Sequence, residues 1–227
     1  MKSFDIAGQS WLDAGSGAGM FNDLVGEAAT GFKLFQTDLA FDSLKLINSQ
    51  KKSHRRRRSF AVQSDLEFLP FKNNTFQGSL ISSVLQWLEA PEKGLREIVR
   101  TLKPDGKVVF AAFLTGSFFE VRLLREKRDL SVPVKFLDDS GIKDLMNTCG
   151  LEMVESSNIS DVNYFHSAWA ILKYLSDIGS SAVDGRRLSR AELLAFCEEY
   201  ENRFGTDQGI PLSYRVGCGI ARKRYIS

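Results

Sequence analysis

Residues 10–19 read Ser-Trp-Leu-Asp-Ala-Gly-Ser-Gly-Ala-Gly. An apolar stub ends at Asp13, and glycines follow at alternate positions, Gly15, Gly17 and Gly19. A strand that runs into such a turn brings backbone close to a ligand, because no Cβ blocks the approach or the positive φ angles. The spacing differs from the dinucleotide fingerprint, whose second and third glycines are three apart. Two more acids sit at matching places: Asp38 after Phe35-Gln36-Thr37, and Asp65 after Val62-Gln63-Ser64. An acid ending a second strand accepts hydrogen bonds from both hydroxyls of a ribose. One ending a third strand receives the exocyclic amine of adenine, with Leu66 packed on the ring. Leu39, next to Asp38, belongs to the same set. Each acid alone would serve as an ordinary cap of a helix or turn. Acids closing three successive strands favour a nucleoside. Beyond them, Ser82-Ser83-Val84-Leu85-Gln86-Trp87-Leu88 leaves a fourth apolar run. Ser82 offers backbone contacts there and Gln86 or Trp87 a pocket wall, with core packing the alternative for Trp87.

The elements that must position these residues are legible as alternating patterns. Strands are predicted over 10–14, 32–38, 59–64, 77–84 and 106–114, and helices over 19–29, 40–50 and 90–102. Lys103-Pro104-Asp105-Gly106 stops the last of these helices. Val108-Val109-Phe110-Ala111-Ala112-Phe113 is a continuous apolar run, as in a strand buried on both faces. Alternating β and α units imply a parallel sheet with right-handed crossovers. Later come helices over 117–129, 138–149, 167–179 and 189–204, and strands over 151–164 and 212–221. Ser189 and Glu192 form a capping box for the last helix.

The chain's 227 residues suggest one domain, with residues of about 165–205 as a helical insertion. A hydrophobic content of 43% supports a core, yet no run of about 18 apolar residues offers a membrane span. The start carries no apolar signal region. Cys149, Cys197 and Cys218 are far apart, so no zinc site or disulfide framework is indicated, and a reducing cytoplasm fits. With a net charge of +2, any preference for an acidic partner must come from local patches. The outlier is Lys51-Lys52-Ser53-His54-Arg55-Arg56-Arg57-Arg58. It precedes the third strand, whereas ligands of such sheets bind at the strands' carboxyl ends. It reads as a solvated loop, and neither nucleic acid nor membrane is an expected partner.

The glycine loop with Asp13, Asp38 and Asp65 resembles the S-adenosylmethionine site of class I methyltransferases. Further blocks resemble the malonyl-acyl-carrier-protein O-methyltransferases of biotin synthesis: residues 63–88, Ala111 through Val121, Lys135-Phe136-Leu137-Asp138-Asp139, Leu175-Ser176-Asp177-Ile178-Gly179, Leu188-Ser189-Arg190 and Pro211-Leu212-Ser213-Tyr214. The resemblance implies a Rossmann-like α/β fold: a seven-stranded, mostly parallel sheet with helices on both faces and a small helical insertion before the last strand. It implies that Asp13 and the glycines cradle the methionine moiety, Asp38 the ribose and Asp65 the adenine. The acceptor is then the free carboxylate of a malonyl thioester on an acidic acyl carrier protein, or malonyl-CoA, and the enzyme is expected to be a cytoplasmic monomer. A carboxylate is ionised at pH 7, so no general base is needed. Arg122, in a basic helix with Arg125, Lys127 and Arg128, is the candidate for gripping it; Arg186 and Arg187 are the alternatives. Other readings are a methyltransferase for another small acid, a relative of a respiratory-complex assembly factor resembled through Glu67-Phe68-Leu69-Pro70-Phe71-Lys72, and a non-catalytic cofactor-binding module. The last arises because nine residues precede Ser10, fewer than the resemblance leads one to expect.

Overall fold

The computed structural model describes residues 6–19, 21, 31–50, 58–128, 136–177 and 188–225. Seven strands lie in one sheet: β1 (Ser10–Ala14), β2 (Lys33–Asp38), β3 (Arg58–Gln63), β4 (Phe76–Ser82), β5 (Leu102–Phe113), β6 (Leu151–Phe165) and β7 (Ile210–Lys223). Among the described residues the helices are α1 (Phe41–Gln50), α2 (Pro91–Thr101), α3 (Phe119–Lys127), α4 (Asp139–Thr148), α5 (Ala168–Asp177) and α6 (Arg190–Phe204). The helix expected over 19–29 lies outside the described residues except for Gly19 and Phe21. So do most of the basic run, Lys135, Arg186 and Arg187.

The strand order is β3-β2-β1-β4-β5-β7-β6. β1 pairs in parallel with β2 and β4, β2 with β3, and β4 with β5. The order reverses between β1 and β4, and the carboxyl ends of strands at such a switch point are where open α/β sheets bind ligands. Both faces of the central strands are covered: Leu12, Ala14, Ile81 and Val108 are buried on one face, and Trp11, Asp13 and Leu80 on the other. Phe35 stacks on Phe60 at 4.8 Å and meets Phe76 at 5.4 Å. Among the described residues no helix is long and apolar enough to cross a membrane.

Two compact units divide the chain. The first holds residues 1–112, 139–157 and 218–227, and the second residues 113–138 and 158–217. In the second, Leu124, Ile171, Phe196, Tyr200 and Leu212 form a core. Its helix α6 starts with the expected capping box: Ser189 Oγ accepts from Glu192 N–H, and Glu192 Oε2 accepts from Ser189 N–H.

Most elements keep their expected bounds within a residue or two. One exception is β5, which opens at Leu102 rather than at Gly106. The Lys103–Gly106 stop is absorbed as an irregularity of the β4–β5 ladder, which runs from Phe76↔Leu102 to Gly78↔Lys107, with Asp105 at φ +59°. Proline in a strand fits such a break in pairing, where its missing N–H is not needed.

Candidate functional site

The turn after β1 hangs from β2. Ser16 N–H donates to Thr37 O at 2.8 Å, and Gly17 N–H donates to Asp38 Oδ2 at 2.8 Å. Gly15, Gly17 and Gly19 have φ of +69°, +52° and +85°, so the loop needs their conformational freedom. A Cβ on Gly15 would also collide with Val84, which packs against the loop from the segment after β4. A Cβ on Gly17 would point into open space, leaving a place where a ligand can approach backbone.

Asp38 has a double duty. Its Oδ1 accepts from Ala40 N–H at 2.8 Å, leading the chain into α1, while its Oδ2 holds Gly17. A carboxylate offers about four acceptor sites, so two hydroxyls can still be accommodated. Leu39 beside it is exposed.

Asp13 departs from its expected role. It is 1% exposed, and Gln36 Nε2 donates to its Oδ2 at 3.3 Å. Gln36 in turn accepts from Ser59 Oγ at 2.6 Å. The cause is the register: Asp13 faces Gln36 across the β1–β2 ladder, so the pleat turns its carboxyl inward. It braces the strand beneath the turn and has no surface to offer a ligand. Burial, the main cause, with a contribution from Asp38, pushes its pKa up from 3.8 to about 7 despite the Gln36 hydrogen bond.

Asp65 lies in the turn beyond β3, which ends at Gln63. Its Oδ1 accepts from Glu67 N–H at 2.9 Å, and its side chain is exposed. Leu66 also departs from expectation: it is 8% exposed and flanks Gly94 of α2, so it serves the core and not a ligand face.

Ser82 ends β4 opposite Ala111. The next residue, Ser83, is left-handed at φ +54°, and its N–H donates to Ala111 O at 2.8 Å. Strain of this kind in a non-glycine residue tends to gather where function requires it. Leu85, Gln86 and Trp87 form one 3-10 turn, with Leu85 buried and Trp87 half-buried. Both amide atoms of Gln86 are buried without a hydrogen-bond partner among the described residues, as are Ser16 Oγ in the glycine turn and Ser64 Oγ after β3. Buried polar atoms left unpaired are costly, so a polar ligand that pairs them fits this end of the sheet. Sequence reasoning passed over Ser16, Ser64 and Val84, and nothing local in the sequence marks them.

Arg122, on α3 of the second unit, is half-buried. Its Nη2 is 3.9 Å from Glu126 Oε1, and its Cζ is 5.7 Å from the Phe136 ring centre. The basic helix is less bare than its sequence suggests. Lys127 Nζ is 2.7 Å from Glu199 Oε1, and Arg128 also pairs with Glu199, so one acid of α6 ties down both cations.

Among the described residues no cluster of His, Cys, Asp and Glu is arranged to hold a metal ion. The basic run ends at Arg58, the first residue of β3 and so at the end of that strand away from Asp65. Replacing Arg55–Arg58 by serine should therefore leave S-adenosylmethionine affinity within about twofold, since surface substitutions away from a site shift energies by about 0.5 kcal/mol or less. Titration calorimetry on the serine variant checks this, and a tenfold loss would place the run in the site.

Comparison with known proteins agrees with this geometry. Residues 12–110 match the family model described as a methyltransferase domain. The chain is 32% identical over 70% of its length to the biotin biosynthesis bifunctional protein BioHC of Teredinibacter turnerae, of which it spans 29%. It is 26% identical to the malonyl-[acyl-carrier protein] O-methyltransferase of Geobacter sulfurreducens, over 93% of this chain and 83% of that one. It is 28% identical to human arginine-hydroxylase NDUFAF5, mitochondrial, over all of this chain and 66% of that one. Among solved structures, a methyltransferase of Bacillus halodurans superposes with a TM-score of 0.68 at 17% identity, covering 96% of this chain and 93% of that one. Sheet order, glycine turn and acid placement thus fit the class I S-adenosylmethionine-dependent methyltransferases. Within that class, its sequence is similar to malonyl-acyl-carrier-protein O-methyltransferases.

Proposed function

We propose that this enzyme methylates the free carboxylate of a malonyl thioester carried by acyl carrier protein. The observation that carries the reading is the extent of the likeness to the Geobacter methyltransferase. It covers 93% of the chain and so takes in the second unit, which the methyltransferase-domain match, ending at residue 110, leaves out.

Bound S-adenosylmethionine supplies an electrophilic methyl group. Asp38 accepts from the ribose hydroxyls, the Gly15–Gly19 turn offers backbone to the methionine end, and Asp65 receives the adenine amine with Leu39 beside it. Asp13 holds β1 to β2 under the turn. Ser82, Gln86 and Trp87 wall the reacting end, with the Gln86 amide available to orient an acceptor oxygen. The acceptor carboxylate needs no base, so the protein's tasks are alignment and exclusion of water.

Arg122 grips that carboxylate. Its contact with Glu126 is long and half-exposed, and such pairs contribute little, so the guanidinium can turn to a ligand. Arg125 serves the carrier protein, because it lies one turn further along α3. Arg122→Ala should lower kcat/KM about tenfold both for malonyl carrier protein and for malonyl-pantetheine. Arg125→Ala should affect chiefly the carrier-protein reaction, by less as salt screens docking. Equal effects of both variants on both substrates would remove this division.

The similarity to an arginine-hydroxylase over the whole chain favours a second reading, oxidation of a protein arginine. Intact mass after incubation with S-adenosylmethionine and malonyl carrier protein separates the two. A gain of one methylene on the carrier supports methyl transfer; an unmodified carrier overturns it.

A further inference from the structure

Four rings of the second unit close on one another. Phe113 lies 4.9 Å from Phe118, and Phe118 lies 5.7 Å from Phe136. Tyr214 meets Phe118 edge-on at 5.6 Å and Phe113 at 6.2 Å. Arg122 stands over Phe136 at the margin of this box.

The backbone on both sides of Tyr214 is pinned. Ser213 gives its N–H and its hydroxyl to the buried Glu120 carboxylate, and its carbonyl accepts from Phe118 N–H at 2.7 Å. Arg215 N–H donates to Ser117 Oγ at 2.9 Å, and Arg215 O accepts from Leu114 N–H at 2.7 Å. The ring is held on a rigid frame, yet its hydroxyl is buried with no hydrogen-bond partner among the described residues. Asn163 and Tyr174 stand near enough to bias its proton, but neither reaches hydrogen-bond geometry. Tyr200 in the same core shows the contrast, since its hydroxyl donates to Pro211 O at 2.8 Å.

We propose that Tyr214 donates its O–H to the thioester carbonyl of the acceptor acyl group, while Phe113, Phe118 and Phe136 pack the acyl methylene and Arg122 holds the carboxylate. The assignment rests on the malonyl reading above. The carbonyl is the better partner than the carboxylate. A strong hydrogen bond to the attacking oxygens would withdraw charge from the nucleophile, whereas one to the carbonyl orients the chain and leaves the nucleophile free. Burial raises the phenol's pKa above its usual value, so it stays a neutral donor at working pH.

The test pairs one variant with two acceptors. Tyr214→Phe keeps the ring and deletes an unpaired hydroxyl, so its melting temperature should equal or exceed that of the wild type, with unchanged S-adenosylmethionine affinity. Its kcat/KM for malonyl-pantetheine should fall about tenfold, as for loss of one hydrogen bond to a reacting ligand. With a 3-(alkylthio)propanoate, in which a methylene replaces the thioester carbonyl, variant and wild type should react alike. Equal rates of the two proteins on malonyl-pantetheine, or equal losses on both acceptors, would overturn the assignment. Binding of malonyl-pantetheine is measured by calorimetry alongside. If the wild type turns over neither acceptor, the malonyl reading fails. The Tyr214 assignment then stands only if the wild type binds the thioester about tenfold more tightly than the variant, and falls if it does not.

Discussion

Asp38→Ala should bind S-adenosylmethionine about a hundredfold more weakly than the wild type while keeping its fold. One carboxylate is proposed to serve two roles. It accepts from Gly17 N–H at 2.8 Å, fixing the turn, and it retains acceptor sites for the ribose hydroxyls. A hydrogen bond to a charged group is worth about 1.5–3 kcal/mol. Loss of the ribose contact and of the loop's tether together should cost about 3 kcal/mol, or a hundredfold. Asp38→Asn keeps one oxygen for Gly17 and loses the charge, so it should fall between, near tenfold. Calorimetry with S-adenosylhomocysteine gives both values. Undiminished affinity in the alanine variant would remove Asp38 from the site, and equal losses in both variants would assign the whole effect to charge.

The second large effect concerns pH. Asp13 has its pKa raised from 3.8 to about 7 by burial. A raised carboxyl binds its proton more tightly in the folded state than in the unfolded one. Its contribution to stability is therefore complete below about pH 4 and is lost as pH rises through about 7. A displacement of that size is worth at most about 4 kcal/mol. Asp13→Asn mimics the protonated carboxyl and still accepts from Gln36. Relative to the wild type, it should be of nearly equal stability at about pH 3.5 and more stable at about pH 8. Urea unfolding of both proteins at the two pH values measures the difference, and a gap that does not widen with pH would mean that Asp13 titrates normally.

Asp13 also shows where sequence and structure part. Its type and its place before the glycines are those of a ligand-binding acid. Yet the pleat of β1 sets it opposite Gln36, and that neutral amide, next to Leu34 and Phe35 in β2, was the available sign of a buried polar pair. Strands β1 to β4 were legible because apolar runs end in glycine, acid or serine. The opening of β5 was not, since Pro104 and Gly106 signal a stop whether the chain turns or merely bulges. Asp38 was legible as an acid at a strand end. Its bond to Gly17 was not, because it joins residues 21 apart in sequence through a turn whose shape depends on three glycines. The box of Phe113, Phe118, Phe136 and Tyr214 is harder still, being assembled from separate segments of the second unit that share no local pattern.

The loop after Asp65 is built from the outside. Leu69 N–H donates to Glu97 Oε2 at 3.0 Å, and Arg100 reaches Leu69 O at 3.1 Å, Phe71 O at 2.8 Å and Asn73 Oδ1 at 2.8 Å, while its own Glu97 partner steadies it at 2.7 Å. What α2 grips is chiefly main chain, so the loop's side chains are free to vary while its course is not. Transplanting residues 66–74 into another protein of this fold would carry the sequence without the shape, unless Glu97 and Arg100 travelled with it. The unit of inheritance at this rim is a loop and the two helical residues some thirty positions downstream that hold it.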